Sequence, residues 1–561
     1  MRLTMAMVLL LASCAHSPPE PRVTRDRELE SLEQAVRWPN PSVPVVMQLA
    51  NAYLAANRDS DGYAFFVALP QTQPLFEALT GLFQARSAST VALLSRVAWV
   101  EQAIARLDDA AAKDGLARYL RGVVFVALPD RFGKHAQGAS DLQWVLENAA
   151  RFPPGLARTA RAALEGKSVL AADGSVSAKD GYRFTPKEIR EPAKGVYVAR
   201  GYDFADIGFV ATSSCLVAID AGTTKATAAE ALAAVRKRID LPLCKVIITH
   251  AHWDHVGGLS AFAGPGVEVI AHANFKDELA KVNAADVPFH YFFGSGAAKT
   301  YSLSPQRLVA DRQTLTVGGT RFELIPTAGG ETDDALMVRL PDAGVIFVGD
   351  AFMPYFGAPF VAEGSVEGML ETVAQLRALG PAQLIHGHPP LTDNFTFAVL
   401  EPLAAAVTEL REATLKSLHD GRTLADALGD NLMPLVLRDH PDAVLPYLLM
   451  RDDAVQRLYA QRSGYWSSKG DGLAVFSDAD WGAALDLLGG EAGVQRAAAA
   501  LNVRGDHAMA LRLATAGLAA HRDSPALTAE RKRALDGLRA RNQFNPFKLI
   551  VYSELAGEEL Q

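Results

Sequence analysis

Cysteine is almost absent, with three in 561 residues. Cys215 and Cys244 each lie inside an apolar run that reads as a strand. A thiol there behaves as a small hydrophobe, so the reading is two separate buried core thiols rather than metal ligands. An oxidising compartment would permit a disulfide between them, but nothing in their spacing asks for one. Long blocks of like charge are missing too. The 55 basic and 63 acidic residues are interspersed and the formal net charge is −8, which leaves no electrostatic footprint for nucleic acid and excludes it as a partner. A composition 49% hydrophobic and 21% charged excludes disorder over most of the chain. The length exceeds what one hydrophobic core supports, so two to four globular domains are expected.

The first apolar stretch, Met5 to Ala12, is too short to span a bilayer. Arg2 precedes it and Leu11-Ala12-Ser13-Cys14 follows. This pattern resembles the bacterial lipobox, with residues 1–13 as signal peptide and Cys14 as the lipidated first residue of the mature protein. The alternative is an ordinary secretory signal with an incidental cysteine. Both readings make the chain exported; the first makes it a periplasm-facing lipoprotein held to the membrane through Cys14.

Three textures follow. Asp26 to Gly166 is helical, with apolar residues three and four apart in Leu93 to Ala111 and Ala117 to Leu128; residues 14–175 are assigned to a helical N-terminal domain. Across 176–400 the pattern changes to short β-branched runs between glycines. Val196 to Val198, Ile207 to Ala211, Cys215 to Ile219, Val246 to Ile248, Val267 to Ala271, Thr314 to Val317, Arg321 to Ile325, Leu336 to Arg339 and Val345 to Val348 read as strands. Residues 401–561 are helical again. Gly493 to Asn502, Ala508 to Ala520 and Ser524 to Arg541 form alanine-rich helices joined by short turns, which resemble tetratricopeptide units, with a plain helical bundle as the alternative.

Chemistry concentrates where a strand ends at Ile248. Thr249-His250-Ala251-His252-Trp253-Asp254-His255 then runs into Gly257-Gly258 and a helix. Four potential ligands in six residues converge only if the backbone turns tightly, which the glycines are expected to allow. Imidazole nitrogens and a carboxylate oxygen are what zinc and similar divalent ions prefer. A lone histidine is more often packed or surface-exposed than a ligand; this cluster reverses that expectation.

The motif resembles the signature of the metallo-β-lactamase superfamily, which implies an αβ/βα sandwich with a metal site at one edge. Followed in order, the resemblance places a third ligand in Thr327-Ala328-Gly329-Gly330-Glu331-Thr332-Asp333-Asp334, where Glu331 stands in place of the usual histidine. It places a bridging carboxylate at Asp350 in Val348-Gly349-Asp350, and a last ligand at His388 in His386-Gly387-His388, with His386 as a nearby supporting residue. It thus implies one divalent ion, most readily zinc, on His250, His252 and Glu331, and a second on Asp254, His255 and His388, with Asp350 between them. Asp254 is also the residue assigned a catalytic role. Such a pair would share a water whose pKa falls toward neutrality, giving a hydroxide for hydrolysis.

Glu331 narrows the resemblance to the alkyl sulfatases of the superfamily. Val198 to Ala205 resembles their entry strand, Phe289-His290-Tyr291-Phe292-Phe293-Gly294 their aromatic segment, and Arg457 to Trp466 with the helices after it their dimerisation domain. A small, amphiphilic ester substrate and a homodimer through the C-terminal helices follow as implications. Three features depart from that branch: Val348-Gly349-Asp350-Ala351-Phe352 replaces its Glu-Asn segment, Asp286-Val287-Pro288 replaces its paired arginines, and a helical domain precedes the catalytic one. A lactone, thioester or β-lactam hydrolase on the same site therefore stays open, as does a helical-repeat binding protein with a vestigial metal domain. Phe352 to Phe360 reads either as an apolar channel beside the metals or as a flap packed on the core.

Overall fold

A computed structural model describes residues 26–152, 154–166, 176–178, 181–284, 301–356, 363–465, 472–542 and 545–557. Cys14, the segment Phe289–Gly294, and the ends of the stretches reaching Phe360 and Trp466 lie outside the described residues.

The centre of the chain is a sandwich of two sheets. The antiparallel pair β1 (Val176–Ala178) and β2 (Gly181–Arg183) leads in. The larger sheet runs β3 (Glu188–Ala193), β4 (Val196–Arg200), β5 (Ile207–Ala211), β6 (Leu216–Ile219), β7 (Leu243–Ile247), β8 (Glu268–His272) and β9 (Arg307–Val309), in that spatial order. It is antiparallel from β3 to β6 and parallel from β6 to β9. The second sheet runs β10 (Gln313–Val317), β11 (Thr320–Pro326), β12 (Leu336–Leu340), β13 (Val345–Gly349) and β14 (Gln383–His386), with only β13 and β14 parallel.

Residue parity explains the layers. Val196, Val198, Val210, Val217, Ile219 and Ile247 point between the sheets, where they meet Phe322, Leu324, Val338, Val345, Phe347 and Ile385. Their neighbours Tyr197, Ala199, Phe209, Leu216, Ala218 and Val246 face outward and are covered by Ala228, Ala231, Leu232 and Val235 of the helix Lys225–Arg236. On the far side, Ile325, Met337, Ile346, Val348 and Leu384 are covered by Val366, Met369, Val373 and Leu376 of the helix Val366–Leu379. The expected αβ/βα sandwich is therefore present, flanked by helical regions at both ends of the chain. Each of the nine strands read from the sequence corresponds to one here: β4, β6 and β13 are buried throughout and leave apolar runs, whereas the mostly exposed β10 shows through its β-branched residues.

The flanking helices share a core with the sandwich. One cluster of buried residues joins Leu29, Tyr53, Phe66 and Phe125 to Met369, Leu403, Leu458 and Ile550. Polar contacts lock the ends: Arg27 Nη1 donates to Leu428 O at 2.6 Å and meets Asp452 at 3.2 Å, Arg451 Nη1 donates to Ser31 Oγ at 2.7 Å, and Arg541 pairs with Asp26. Local signals set the helix starts. Asp26 accepts from Leu29 N, Asp114 from Leu116 and Ala117 N, and Ser524 from Leu527 N ahead of Pro525.

Cys215 and Cys244 correct the sequence reading: they form a disulfide, with Cα atoms 5.8 Å apart. Strands β6 and β7 are parallel neighbours, and the register slips between the pairs Leu216↔Leu243 and Val217↔Lys245, leaving Cys244 as the extra residue of a bulge beside Cys215. With 29 residues of separation, replacing both cysteines by alanine is expected to lower stability by roughly 3–4 kcal/mol. Denaturant unfolding of the variant checks this; an unchanged midpoint contradicts it.

Candidate metal centre

Parallel strands that end together deliver side chains to one edge. Strand β7 ends at Ile247 and feeds Thr249, His250 and His252, then the short helix Trp253–Val256 with Asp254 and His255. Strand β13 ends at Gly349 before Asp350, and β14 ends at His386 before Gly387 and His388. Glu331 sits in the connection between β11 and β12. All these side chains are buried.

They fall into two groups whose ligand atoms lie within 4.8 Å of one another: His250, His252 and Glu331; and Asp254, His255, Asp350 and His388. His250 Nε2 approaches Glu331 Oε2 at 3.0 Å and His252 Nδ1 approaches Glu331 Oε1 at 3.4 Å. His388 Nε2 stands 2.9 Å from Asp350 Oδ2 and 3.2 Å from Asp254 Oδ2. His255 Nε2 is 3.3 Å from Asp350 and 3.4 Å from Asp254.

The outward nitrogens are all engaged. His255 Nδ1–H donates to Asp220 Oδ2 at 2.9 Å, His252 Nε2–H to Glu363 Oε1 at 2.6 Å, and His388 Nδ1–H to the Phe204 carbonyl at 3.0 Å. Thr249 Oγ1 gives its proton to Asp220 Oδ2 at 2.8 Å and so accepts from His250 Nδ1–H at 3.1 Å. With the outward nitrogen held as donor, each imidazole turns its other nitrogen inward, where it takes either a proton or a metal ion. Among the described residues, His250 Nε2, His255 Nε2, His388 Nε2, Glu331 Oε2 and Asp350 Oδ1 have no hydrogen-bond partner although buried. Buried polar atoms left in this state are costly, and convergent ones call for a cation.

The electrostatics agree. Burial raises the Asp254 and Asp350 carboxyls, but the facing His255 and His388 more than offset this and hold both well below the usual range. Burial lowers His252, His255 and His388, yet the surrounding carboxylates drive all three above the usual histidine value, His388 to about 10. The cavity thus stabilises positive charge, from protons or from divalent ions.

Sequence reasoning missed Asp220, Thr249 and Glu363. Asp220 was findable, since an acidic residue closes the apolar strand Leu216–Ile219. It holds φ +61° and accepts from Thr249 N at 2.7 Å. Glu363 carries no local signal. His386 does not support the site as expected: its Nε2–H donates to the Phe395 carbonyl at 2.9 Å, and burial lowers it to about 4. The glycines also act differently from the reading above. Gly257 and Gly258 keep ordinary helical φ of −63° and −83°. They are required because a Cβ would sit 2.1 Å from Thr223 O and 2.0 Å from Ala221 O respectively. Asp220→Asn is expected to weaken one bound metal about 10–100-fold, through loss of the charge that orients His255; chelator competition measures this, and unchanged affinity contradicts it.

Of the aromatic loop, Phe352 and Phe356 are fully buried core residues. Tyr355 is half-buried and lines a cavity of about 1070 Å³ together with Leu424, Asp453, Arg457, Tyr459 and Ala460. None of the seven candidate ligands lines that cavity.

Residues 200–388 match the family model described as the metallo-beta-lactamase superfamily. Hydroxyacylglutathione hydrolase of Cereibacter sphaeroides is 29% identical over 163 residues, 28% of this chain and 54% of that protein. The Rhodobacter capsulatus enzyme of the same name is 29% identical over 215 residues, 38% of this chain and 70% of that one. The chain thus spans about half the length of the first of these curated relatives. Among solved structures, the stereoselective inverting sec-alkylsulfatase Pisa1 from Pseudomonas sp. matches with a TM-score of 0.51 at 19% identity, covering 65% of this chain and 66% of that one.

Proposed function

We propose that this chain, whose residues 200–388 form a metallo-β-lactamase superfamily domain, is a two-metal hydrolase of small organic esters. The observation that carries the reading is the convergence of buried ligand atoms without hydrogen-bond partners. His250, His252 and Glu331 would hold one divalent ion, and Asp254, His255 and His388 the other, with Asp350 between; nitrogen-rich, oxygen-completed sets favour zinc. When bound, such a pair supplies Lewis acidity and an activated water. The chain's own part is to fix the imidazole tautomers through Asp220, Thr249, Glu363 and the Phe204 carbonyl, and to keep the site dry.

For substrate, Glu331 and the helical regions flanking the sandwich favour an alkyl sulfate or related amphiphile. The sequence likeness to hydroxyacylglutathione hydrolases favours a thioester as the second reading. Glu331 adds a negative charge where histidine would be neutral, so the loaded centre is one unit less positive. That difference matters by several kcal/mol in a low-dielectric cleft and favours release of an anionic product. Glu331→His is therefore expected to keep two metals, bind sulfate more tightly and turn over alkyl sulfates more slowly, whereas Glu331→Ala weakens the first metal. The test assays dodecyl sulfate, a medium-chain thioester, a lactone and a β-lactam on all three proteins with metal analysis. Efficient thioester or lactone hydrolysis without sulfate ester cleavage by the unaltered protein overturns the sulfatase reading.

We also place the mature protein on the periplasmic side of a membrane, anchored through Cys14. The Cys215–Cys244 disulfide supports export, since such bonds persist in oxidising compartments. A homodimer through the C-terminal helices is supported by the exposed apolar side chains of Leu473, Val475, Phe476, Trp481, Leu487 and Leu488.

A further inference from the structure

The helix Pro546–Ala556 is the last element among the described residues. Asn545 starts it by accepting from Lys548 N at 3.2 Å, with Pro546 in the first turn, and Arg531 Nη2 donates to the Leu555 carbonyl at 2.9 Å near its end. Leu549 and Ile550 are fully buried, so one face is committed to the core. Lys548 lies in the field of Asp453, Asp452 and Glu28, which ties the helix to two other parts of the chain.

This placement brings Phe547 to the metal centre. Its ring centroid is 5.8 Å from His388 at an interplanar angle of 90°, and 5.3 Å from Phe184. Phe184 and Phe204 flank the same imidazole at 5.7 and 4.7 Å. On its other side, Phe547 meets Tyr355 at 5.9 Å. Tyr355 in turn lines the cavity of about 1070 Å³, whose walls include Leu418, Leu424, Leu428 and Ala460. Two aromatic rings in contact, Phe547 and then Tyr355, therefore link His388 to that cavity.

We propose that Phe547 and Tyr355 form an aromatic partition between the metal centre and this cavity, and that Phe547 sets which organic groups can lie beside His388. The cavity receives the apolar chain of the substrate, while Phe547 limits bulk at the carbon next to the reacting group. A straight chain threads past a ring edge, whereas a branch at that carbon collides with it. The leucine, alanine and tyrosine part of its lining suits an alkyl or acyl chain, while Arg422, Asp453, Gln456 and Arg457 supply polar groups on the same walls. The proposal rests on the hydrolase reading for its kinetics but not for its binding arm.

The experiment uses the metal-loaded full chain, unaltered and as Phe547→Ala, Phe547→Trp and Tyr355→Ala. Two sets of ligands are compared: esters with straight chains or chains branched next to the ester, and dodecanoate against 2,2-dimethyldodecanoate by titration calorimetry. Phe547→Ala is expected to raise the branched-to-straight ratio of kcat/KM, and of affinity, at least tenfold, with two metals retained. Phe547→Trp is expected to lower that ratio. A ring that only packs the core would change both ligand forms in the same proportion, and an unchanged ratio in both Phe547 variants overturns the proposal. Should Phe547→Ala fail to fold, Tyr355→Ala must show the rise or the proposal falls. If the unaltered protein hydrolyses no ester, the hydrolase reading fails while the calorimetric ratio still decides the partition.

Discussion

Asp254→Ala is expected to remove one of two bound metals and to lower kcat/KM about 10³-fold or more, a loss near 4 kcal/mol of transition-state stabilisation. Asp254 Oδ2 lies 3.2 Å from His388 Nε2 and 3.4 Å from His255 Nε2, and the carboxylate is buried. Removing it leaves two inward imidazoles with Asp350 as their one remaining anionic partner there and deletes one candidate ligand of the second set. Buried charge groups that lose a partner are penalised far beyond the worth of the contact. Metal analysis with kinetics on the best substrate of the panel checks both halves. An Asp254→Ala protein that is inactive yet carries two metals would contradict the assigned role, and an active one would do so more directly.

Gly387→Ala should damage the centre without touching any ligand. A Cβ at Gly387 would lie 2.3 Å from Asp350 Oδ1 and 2.5 Å from His255 Cε1. Neither neighbour can retreat cheaply. His255 is held from behind by Asp220, and Asp350 follows Gly349 at φ +54°, itself pressed against Thr249. The methyl must therefore displace the Asp350 carboxylate or the His255 imidazole. We expect a stability loss of about 2–4 kcal/mol and a fall in activity of at least 100-fold, with weakened metal retention. Gly264→Ala is the control: its Cβ would meet nothing closer than 4.0 Å. Thermal unfolding and metal content of the two variants side by side decide the matter, and equal behaviour would sink the argument.

The sandwich was legible because its strands are buried on both faces, so Val345–Gly349 or Leu216–Ile219 announce themselves as apolar runs. The edge strands β3 and β9 were not, since Glu188–Ala193 is partly exposed along its length and Arg307–Val309 is only three residues long. The candidate ligands were legible from spacing in one segment and from resemblance in the others. What supports them was hidden for geometric reasons. Glu363 reaches His252 across 111 positions, and the Phe204 carbonyl reaches His388 across 184. The disulfide was misread because a register slip between neighbouring strands, invisible in one dimension, aligns the two sulfurs. The role of Gly257 and Gly258 was misassigned because crowding by a distant carbonyl and a left-handed turn leave the same residue in the sequence.

Contacts between distant parts of the chain imply an order in which they can form. The carbonyl and side chain of Arg27 are partnered by Asn431 and Leu428, 404 and 401 positions later, and Ser31 by Arg451, 420 positions later. A ribosome extends the chain from its N-terminus, so Arg27 and Ser31 are made long before the residues that partner them. The aromatic surround of His388 is finished later still, when Phe547 arrives. All seven candidate ligands and the rings of Phe184 and Phe204 thus precede Phe547 in the chain, and the surround of His388 depends on its last-made ring. A chain stopped short of Phe547 would keep all seven candidate ligands and lack one ring of the surround of His388.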